Sequence, residues 1–196
     1  MPPVAPHVKL SFAEYAKREE SSETKHQFLD GEVFAMAGGT PEHAALAAAV
    51  SNALGAQLVS GECRPFNADL HVMTETGLGT YPDVTIVCGK LERLPDAQRT
   101  VTNPTLIVEV LSESTEAYDR GRKFEHYRSM SSLKEYVLVS FREPLVESHM
   151  RNADGSWNTT FAGARETLVL RSIDARLDVD EIYRGLVQVD GVMLLP

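Results

Sequence analysis

The chain has 196 residues, a formal net charge of −9, 43% hydrophobic residues and 24% charged residues. This is an ordinary globular composition, long enough to bury a substantial core, and no run approaches the roughly 20 apolar residues that a membrane helix needs. The acidic balance argues against a protein that mainly coats nucleic acid, since non-specific binding rests on Lys and Arg neutralising phosphates. It leaves room for an enzyme acting on a phosphodiester, because carboxylates that hold a metal also lower the net charge.

Met1-Pro2-Pro3-Val4 lacks the charged and apolar regions of a signal peptide, which gives a cytoplasmic expectation with no membrane partner. Cys63 and Cys88 follow no metal or redox spacing, so two reduced thiols are expected. A flexible tail over 1–10 and a single domain over 11–196 are expected, without internal repeats or linkers.

In chain order, Ser11 caps a short helix to about Glu20, with Glu14 completing a capping box. Asp30-Gly31 turns a hairpin between Phe28-Leu29 and Glu32–Met36. Thr40-Pro41-Glu42 starts an alanine-rich helix to about Val59, with Leu46, Val50, Leu54 and Leu58 at steps of four. Its small residues suit a helix packed flat on a sheet. Two strands are expected over Arg64–Met73 and Tyr81–Cys88, joined by the loop Thr74–Thr80. A turn near Thr76-Gly77 sets Asp69 opposite or nearly opposite Asp83, on one face if the register holds.

Gly89–Asn103 reads as a polar loop. Leu106–Leu111 reads as a strand buried on both faces, interrupted by one carboxylate, Glu109. A helix from about Ser112 to Met130 carries Asp119, Lys123 and Tyr127 at steps of four. Strands follow at Glu135–Phe141, Leu145–Met150, Trp157–Phe161 and Thr167–Leu170, then a short helix over Val179–Leu186. Helix, strands, helix and more strands make the fold α/β, or α+β with a mixed sheet.

Burying an ionised carboxylate at Glu109 is costly unless it is paired or binds a metal. Asp83 and Glu109 converging from neighbouring strands would form the hard-oxygen site that Mg²⁺ or Mn²⁺ favours, able to activate water and offset phosphoryl charge. Alternatively, Asp83 caps a turn and Glu109 pairs with an Arg or Lys. Asp119 and Lys123 read either as a surface ion pair or as a helix face bringing Lys123 to the carboxylates, with Arg120 and Arg122 turned toward phosphates. His43, at a helix start, and His71 are candidates that more often prove structural. Glu32 reads as a solvated strand residue. Nucleophile-triad, dinucleotide, phosphate-loop and zinc signatures are absent.

Leu29-Asp30-Gly31-Glu32-Val33, Tyr81-Pro82-Asp83-Val84 and Glu109-Val110-Leu111-Ser112-Glu113-Ser114-Thr115, followed by Asp119-Arg120, Lys123, Tyr127 and Glu135-Tyr136, resemble the Uma2 family of restriction-endonuclease-like proteins in the PD-(D/E)XK nuclease superfamily. The resemblance runs from about Ser11 to Leu186. It implies a restriction-endonuclease-like core, a central mixed sheet flanked by helices, and an Mg²⁺- or Mn²⁺-dependent endonuclease acting on DNA. Asp83 and Glu109 would be the catalytic metal ligands, with the Val110 carbonyl and Glu32 as further ligands, and a homodimer is implied. Two departures stand out. The superfamily lysine two residues after the glutamate is here Leu111, which makes Lys123 its replacement on the next helix. Ser140 also stands where the family often has an Asp. A nuclease-fold module without cleavage, or a hydrolase of another phosphorylated substrate, are the alternative readings.

Overall fold

The computed structural model describes residues 9–36 and 38–186. Of the tail expected over 1–10, only Lys9 and Leu10 fall among them, and the Leu10 N–H is tied to the Gly31 carbonyl at 2.9 Å. Helix α1 (Phe12–Glu19) opens on the expected box: the Ser11 hydroxyl accepts from the Glu14 N–H, and the Glu14 carboxylate accepts from the Ser11 N–H at 2.8 Å. Strands β1 (His26–Leu29) and β2 (Glu32–Ala35) meet at Asp30 and Gly31, with φ of 52° and 88°. Those left-handed values are what a two-residue hairpin requires. Helix α2 (Pro41–Gln57) begins where Thr40 accepts from the His43 N–H.

The expected strand pair divides between two sheets. The first strand becomes β3 (Cys63–Asn67) and β4 (His71–Met73); the second becomes β5 (Gly79–Thr80) and β6 (Val84–Cys88). Asn67-Ala68-Asp69 turns the chain between β3 and β4, with the Asp69 N–H bonded to the Asn67 side chain. Gly89–Asn103 is only partly loop: it holds β7 (Arg93–Leu94) and β8 (Ala97–Val101). Strand β8 hides Ala97, Thr100 and Val101 behind exposed Gln98 and Arg99, and that polar outer face masks the strand in the sequence.

Strand β9 (Leu106–Val110) is followed by α3 (Glu116–Tyr118), a π-helical turn (Asp119–Lys123), α4 (Phe124–Arg128) and β10 (Glu135–Val139). Then come β11 (Leu145–Arg151), β12 (Trp157–Gly163), β13 (Thr167–Leu170), β14 (Ala175–Asp178) and α5 (Val179–Ile182). One six-stranded sheet runs β2-β1-β5-β4-β8-β7, another runs β12-β11-β10-β9-β6-β3, and β13 pairs with β14. The second sheet is mixed, β9 and β10 being parallel and its other pairs antiparallel. The parallel pair needs a crossover, and the helical segment from α3 to α4 provides it.

Strand β9 is central, so both of its faces are buried. Leu106, Val108 and Val110 pack against Leu46, Val50 and Leu54 of α2. Ile107 and Leu111 turn the other way, to Tyr127, Leu133 and Tyr136. The fold is therefore α/β, with mixed sheets flanked by helices on the two sides of β9.

Cys63 and Cys88 are not the reduced thiols expected. The antiparallel register of β3 and β6 sets them directly opposite each other, and they form a disulfide across 25 residues of sequence. Register, invisible in the Cys spacing, makes the pair.

His71 on β4 is buried, and its Nε2–H donates to the Tyr15 hydroxyl at 3.1 Å while Nδ1 accepts from Thr100 at 2.8 Å. This tautomer follows because the Tyr15 proton is committed to the His26 carbonyl. Burial pushes the imidazole down to about 4. An unfolded histidine titrates near 6.5, so its contribution is complete above that pH and is lost as pH falls toward 4. The stability difference between wild type and His71→Phe should accordingly shrink by about 3 kcal/mol between pH 6.5 and 4, measured by urea unfolding at each pH. A constant difference would place an already charged imidazole in the fold.

Candidate active site

Glu109 sits inside β9 with its side chain 5% exposed. Its Oε1 lies 2.9 Å from the Lys123 ammonium and accepts from the Tyr127 hydroxyl at 2.6 Å. Both contacts fall on one oxygen, leaving Oε2 for another partner. Burial first, then the negative charges of Asp83 and Asp119, push the carboxyl up to about 7 against the opposing pull of Lys123 and Tyr127.

Lys123 is also buried, 2.9 Å from Glu109 and 3.0 Å from Asp119 Oδ1. The two carboxylates outweigh burial and hold the ammonium charged, above its ordinary value. The Asp119 contact has ion-pair distance without hydrogen-bond alignment, and among the described residues that oxygen has no hydrogen-bond partner. Asp119 and Lys123 are therefore not a surface pair: both side chains are under 10% exposed.

The π turn explains how steps of four stay on one face. At 3.6 residues per turn, two such steps drift by about 80° around an α-helix. A wider turn at Asp119–Lys123 removes part of that drift, and Asp119, Lys123 and Tyr127 all face inward. Such turns recur at functional sites. Replacing Tyr127 by Phe should cost about 1–3 kcal/mol in urea unfolding, because a buried carboxylate loses a donor; a neutral effect would mean that water or Lys123 takes over.

Asp83 lies one step beyond the last paired position of β6, where Val84 faces Val108, and so across from Glu109. Its Oδ2 accepts from the Val110 N–H at 2.8 Å and lies 3.3 Å from His43 Nε2. Oδ1 carries neither contact. The Asp83 carboxylate beside it raises the His43 imidazole above its ordinary value despite burial. The helix start at Thr40-Pro41 thus places His43 over the end of the strand that carries Glu109.

Not every candidate joins them. Asp69 is one register step off Asp83, since Asn67 pairs with Val84; its side chain is 75% exposed and bound to Lys25 at 2.6 Å. Glu32 is exposed on β2, in a groove shared with Lys9 and Arg18, and the structure does not bring it to Asp83 and Glu109. His71 belongs to the Tyr15 network. Arg120 is engaged by Glu116 and Glu147, leaving Arg122 exposed on that helix. Two residues without a sequence signal border the site: the Gln27 amide donates to the Tyr118 hydroxyl at 2.8 Å across 91 residues of sequence, and Tyr118 is close enough to feel the charges of Lys123 and Asp119.

Asp83 and His43 line a cleft of about 690 Å³ with Asn52, Asn67, Asp69 and Tyr81. Among the described residues no group of three or more His, Cys, Asp or Glu stands together as a metal cage. The free oxygens of Asp83 and Glu109 with the Val110 carbonyl are nevertheless hard donors, a set that fits an ion keeping several waters. No helix among the described residues is long and apolar enough to cross a membrane.

A solved structure, a "putative nuclease belonging to DUF820" from Anabaena variabilis, superposes with a TM-score of 0.70 at 12% identity, over 87% of this chain and 96% of that one. That likeness is one of fold. The uncharacterized protein slr1290 of Synechocystis sp. is 40% identical over 94% of this chain and 96% of its own length. A second uncharacterized Synechocystis protein, sll1609, is 33% identical over 77% of this chain and 86% of its own. The model of the Uma2 family, described as "Putative restriction endonuclease", matches residues 12–180. With nearly the whole of the described chain inside that match, this protein is a nuclease-fold member of the Uma2 family.

Proposed function

We propose that this protein is a metal-dependent endonuclease that hydrolyses phosphodiester bonds in DNA. The observation that supports this reading best is the asymmetry of Glu109: one oxygen is fixed by Lys123 and Tyr127, and the other is left free across from Asp83. A core carboxylate placed only for stability would be expected to use both oxygens.

In this reading Asp83, Glu109 and the Val110 carbonyl hold Mg²⁺ or Mn²⁺. The bound ion supplies an activated water and offsets charge on the phosphoryl group. The Lys123 ammonium has three donors and lies 2.9 Å from Glu109 and 3.0 Å from Asp119; a donor not engaged by them is available to orient the attacking water or a phosphate oxygen. It takes the role that Leu111 cannot. Tyr127 and Asp119 position Glu109 and Lys123, and His43 positions Asp83. A homodimer would set two such sites against the two strands of a duplex.

Incubating the protein with DNA and Mg²⁺ or Mn²⁺ should give cleavage that chelation stops and that Asp83→Ala lowers at least about 100-fold. Cleavage that survives in Asp83→Ala assigns the activity elsewhere. A second reading, a nuclease fold that binds without cutting, draws on the pairing of Glu109 by Lys123 and on Leu111. It expects calorimetry to show no Mg²⁺ or Mn²⁺ binding that depends on Asp83 and Glu109.

A further inference from the structure

Beside the cleft lies a second cavity of about 240 Å³, and it is built differently. Its floor is aromatic: the rings of Tyr81 and His71 are 4.8 Å apart, and those of His71 and Tyr15 5.6 Å apart. Arg99 and Glu23 stand among its polar lining residues. By the ~30 Å³ that a water occupies in the liquid, the volume corresponds to about eight waters, room for one heteroaromatic ring with its substituents.

The cavity communicates with the cleft. Glu23, Thr24, Lys25, Asp69 and Tyr81 line both, and Tyr81 is separated from Asp83 only by Pro82. Lys25 marks the boundary. Its ammonium lies 5.6 Å over the Tyr81 ring and 2.6 Å from Asp69, with the two side chains 42% and 75% exposed. A cation over an aromatic face occupies the position that a stacked ring would take. An exposed ion pair contributes little, and stacking a base on an aromatic side chain contributes more, so a base can displace it.

We propose that this side cavity receives one nucleobase, stacked over Tyr81 in place of Lys25, with its amino group toward the carboxylates of Glu23 and Asp69 and its ring acceptors toward Arg99. The inference rests on the nuclease reading for its source: a base unstacked from the strand lying in the cleft. A free nucleotide offers the same chemistry. The Glu19 carboxylate is not part of the recognition, since it is already occupied by the Tyr81 hydroxyl, the His26 N–H and the His26 ring.

The test places 2-aminopurine at successive positions of a DNA oligonucleotide bound in Ca²⁺, and separately titrates free 2-aminopurine riboside. Two variants accompany wild type: Ala16→Phe, which fills the cavity from α1, and Lys25→Ala, which uncovers the Tyr81 ring. Thermal unfolding checks that each variant is folded. Wild type should change emission several-fold at one position of the oligonucleotide. Lys25→Ala should tighten that binding several-fold, and Ala16→Phe should abolish the change. If only the free riboside responds, and Ala16→Phe removes the response, the cavity is a nucleotide site. Metal-dependent cleavage with no position-specific change in emission overturns the cavity and leaves the nuclease reading standing. No cleavage, together with a riboside response that Ala16→Phe removes, does the reverse. If neither substrate responds, or Ala16→Phe responds as wild type does, the inference fails. A misfolded Ala16→Phe leaves the decision to Lys25→Ala, whose unchanged affinity would also overturn it.

Discussion

Replacing Lys123 by Met should lower stability at neutral pH by about 3–5 kcal/mol, the cost of breaking a buried ion pair and leaving its partner behind. Two carboxylates would be stranded here, Glu109 and Asp119, both buried and both within 3.0 Å of the lost ammonium. The loss should be smaller at acid pH, because Glu109 without its cation takes up a proton more readily and then carries no charge. Adding Glu109→Gln to Lys123→Met should recover part of the stability, since one stranded charge is gone, and a double-mutant cycle in urea measures that coupling. A single-mutant loss under about 1 kcal/mol would mean that Lys123 is solvated, as exposed pairs are. Its role in the site would then fall with the ion pair.

Glu109→Gln should separate stability from chemistry. The amide keeps the shape of the side chain, and its oxygen can still accept from Lys123 and Tyr127. Burial already pushes the native carboxyl up to about 7, so the fold is adapted to a side chain that is neutral for part of its time near neutral pH. Below that value, where the native group is protonated, the amide is a close mimic. A stability change within about 1 kcal/mol is expected, against a fall in metal-dependent cleavage of at least about 100-fold. Equal loss of both would identify Glu109 as a structural residue whose free oxygen has no ligand to meet.

Much of the site was legible because its chemistry is local. A carboxylate inside an apolar strand, a cation and a tyrosine four residues apart on the next helix, and Asp83 beside a proline all show in the sequence, and the crossover from β9 to β10 brings most of them together. Partners set by register or by distant segments were not legible. The one-step offset between Asp69 and Asp83 depends on where the chain leaves one sheet for the other, and the Cys63–Cys88 bond depends on that same pairing. Strand β8 was hidden because its outward residues, Gln98 and Arg99, dominate its appearance. Gln27 meets Tyr118 from the far side of the chain, and no spacing rule reaches that far. His43 was visible as a candidate, but only the helix start at Thr40 puts it over Asp83.

The wide turn at Asp119–Lys123 carries a consequence for how this chain can vary in length. It behaves as a single surplus residue held inside an otherwise α-helical segment, and both ends of that segment are pinned: Glu109 on the strand before, Tyr136 on the strand after, with the Tyr136 hydroxyl bonded to the Asp119 carbonyl at 3.1 Å. Deleting Gly121, where an added Cβ would touch nothing within 4 Å, removes no packing of its own. It would nevertheless rewind the turn and swing Asp119 and Tyr118 by about 100° relative to Lys123. The crossover can therefore exchange residues more freely than it can gain or lose one.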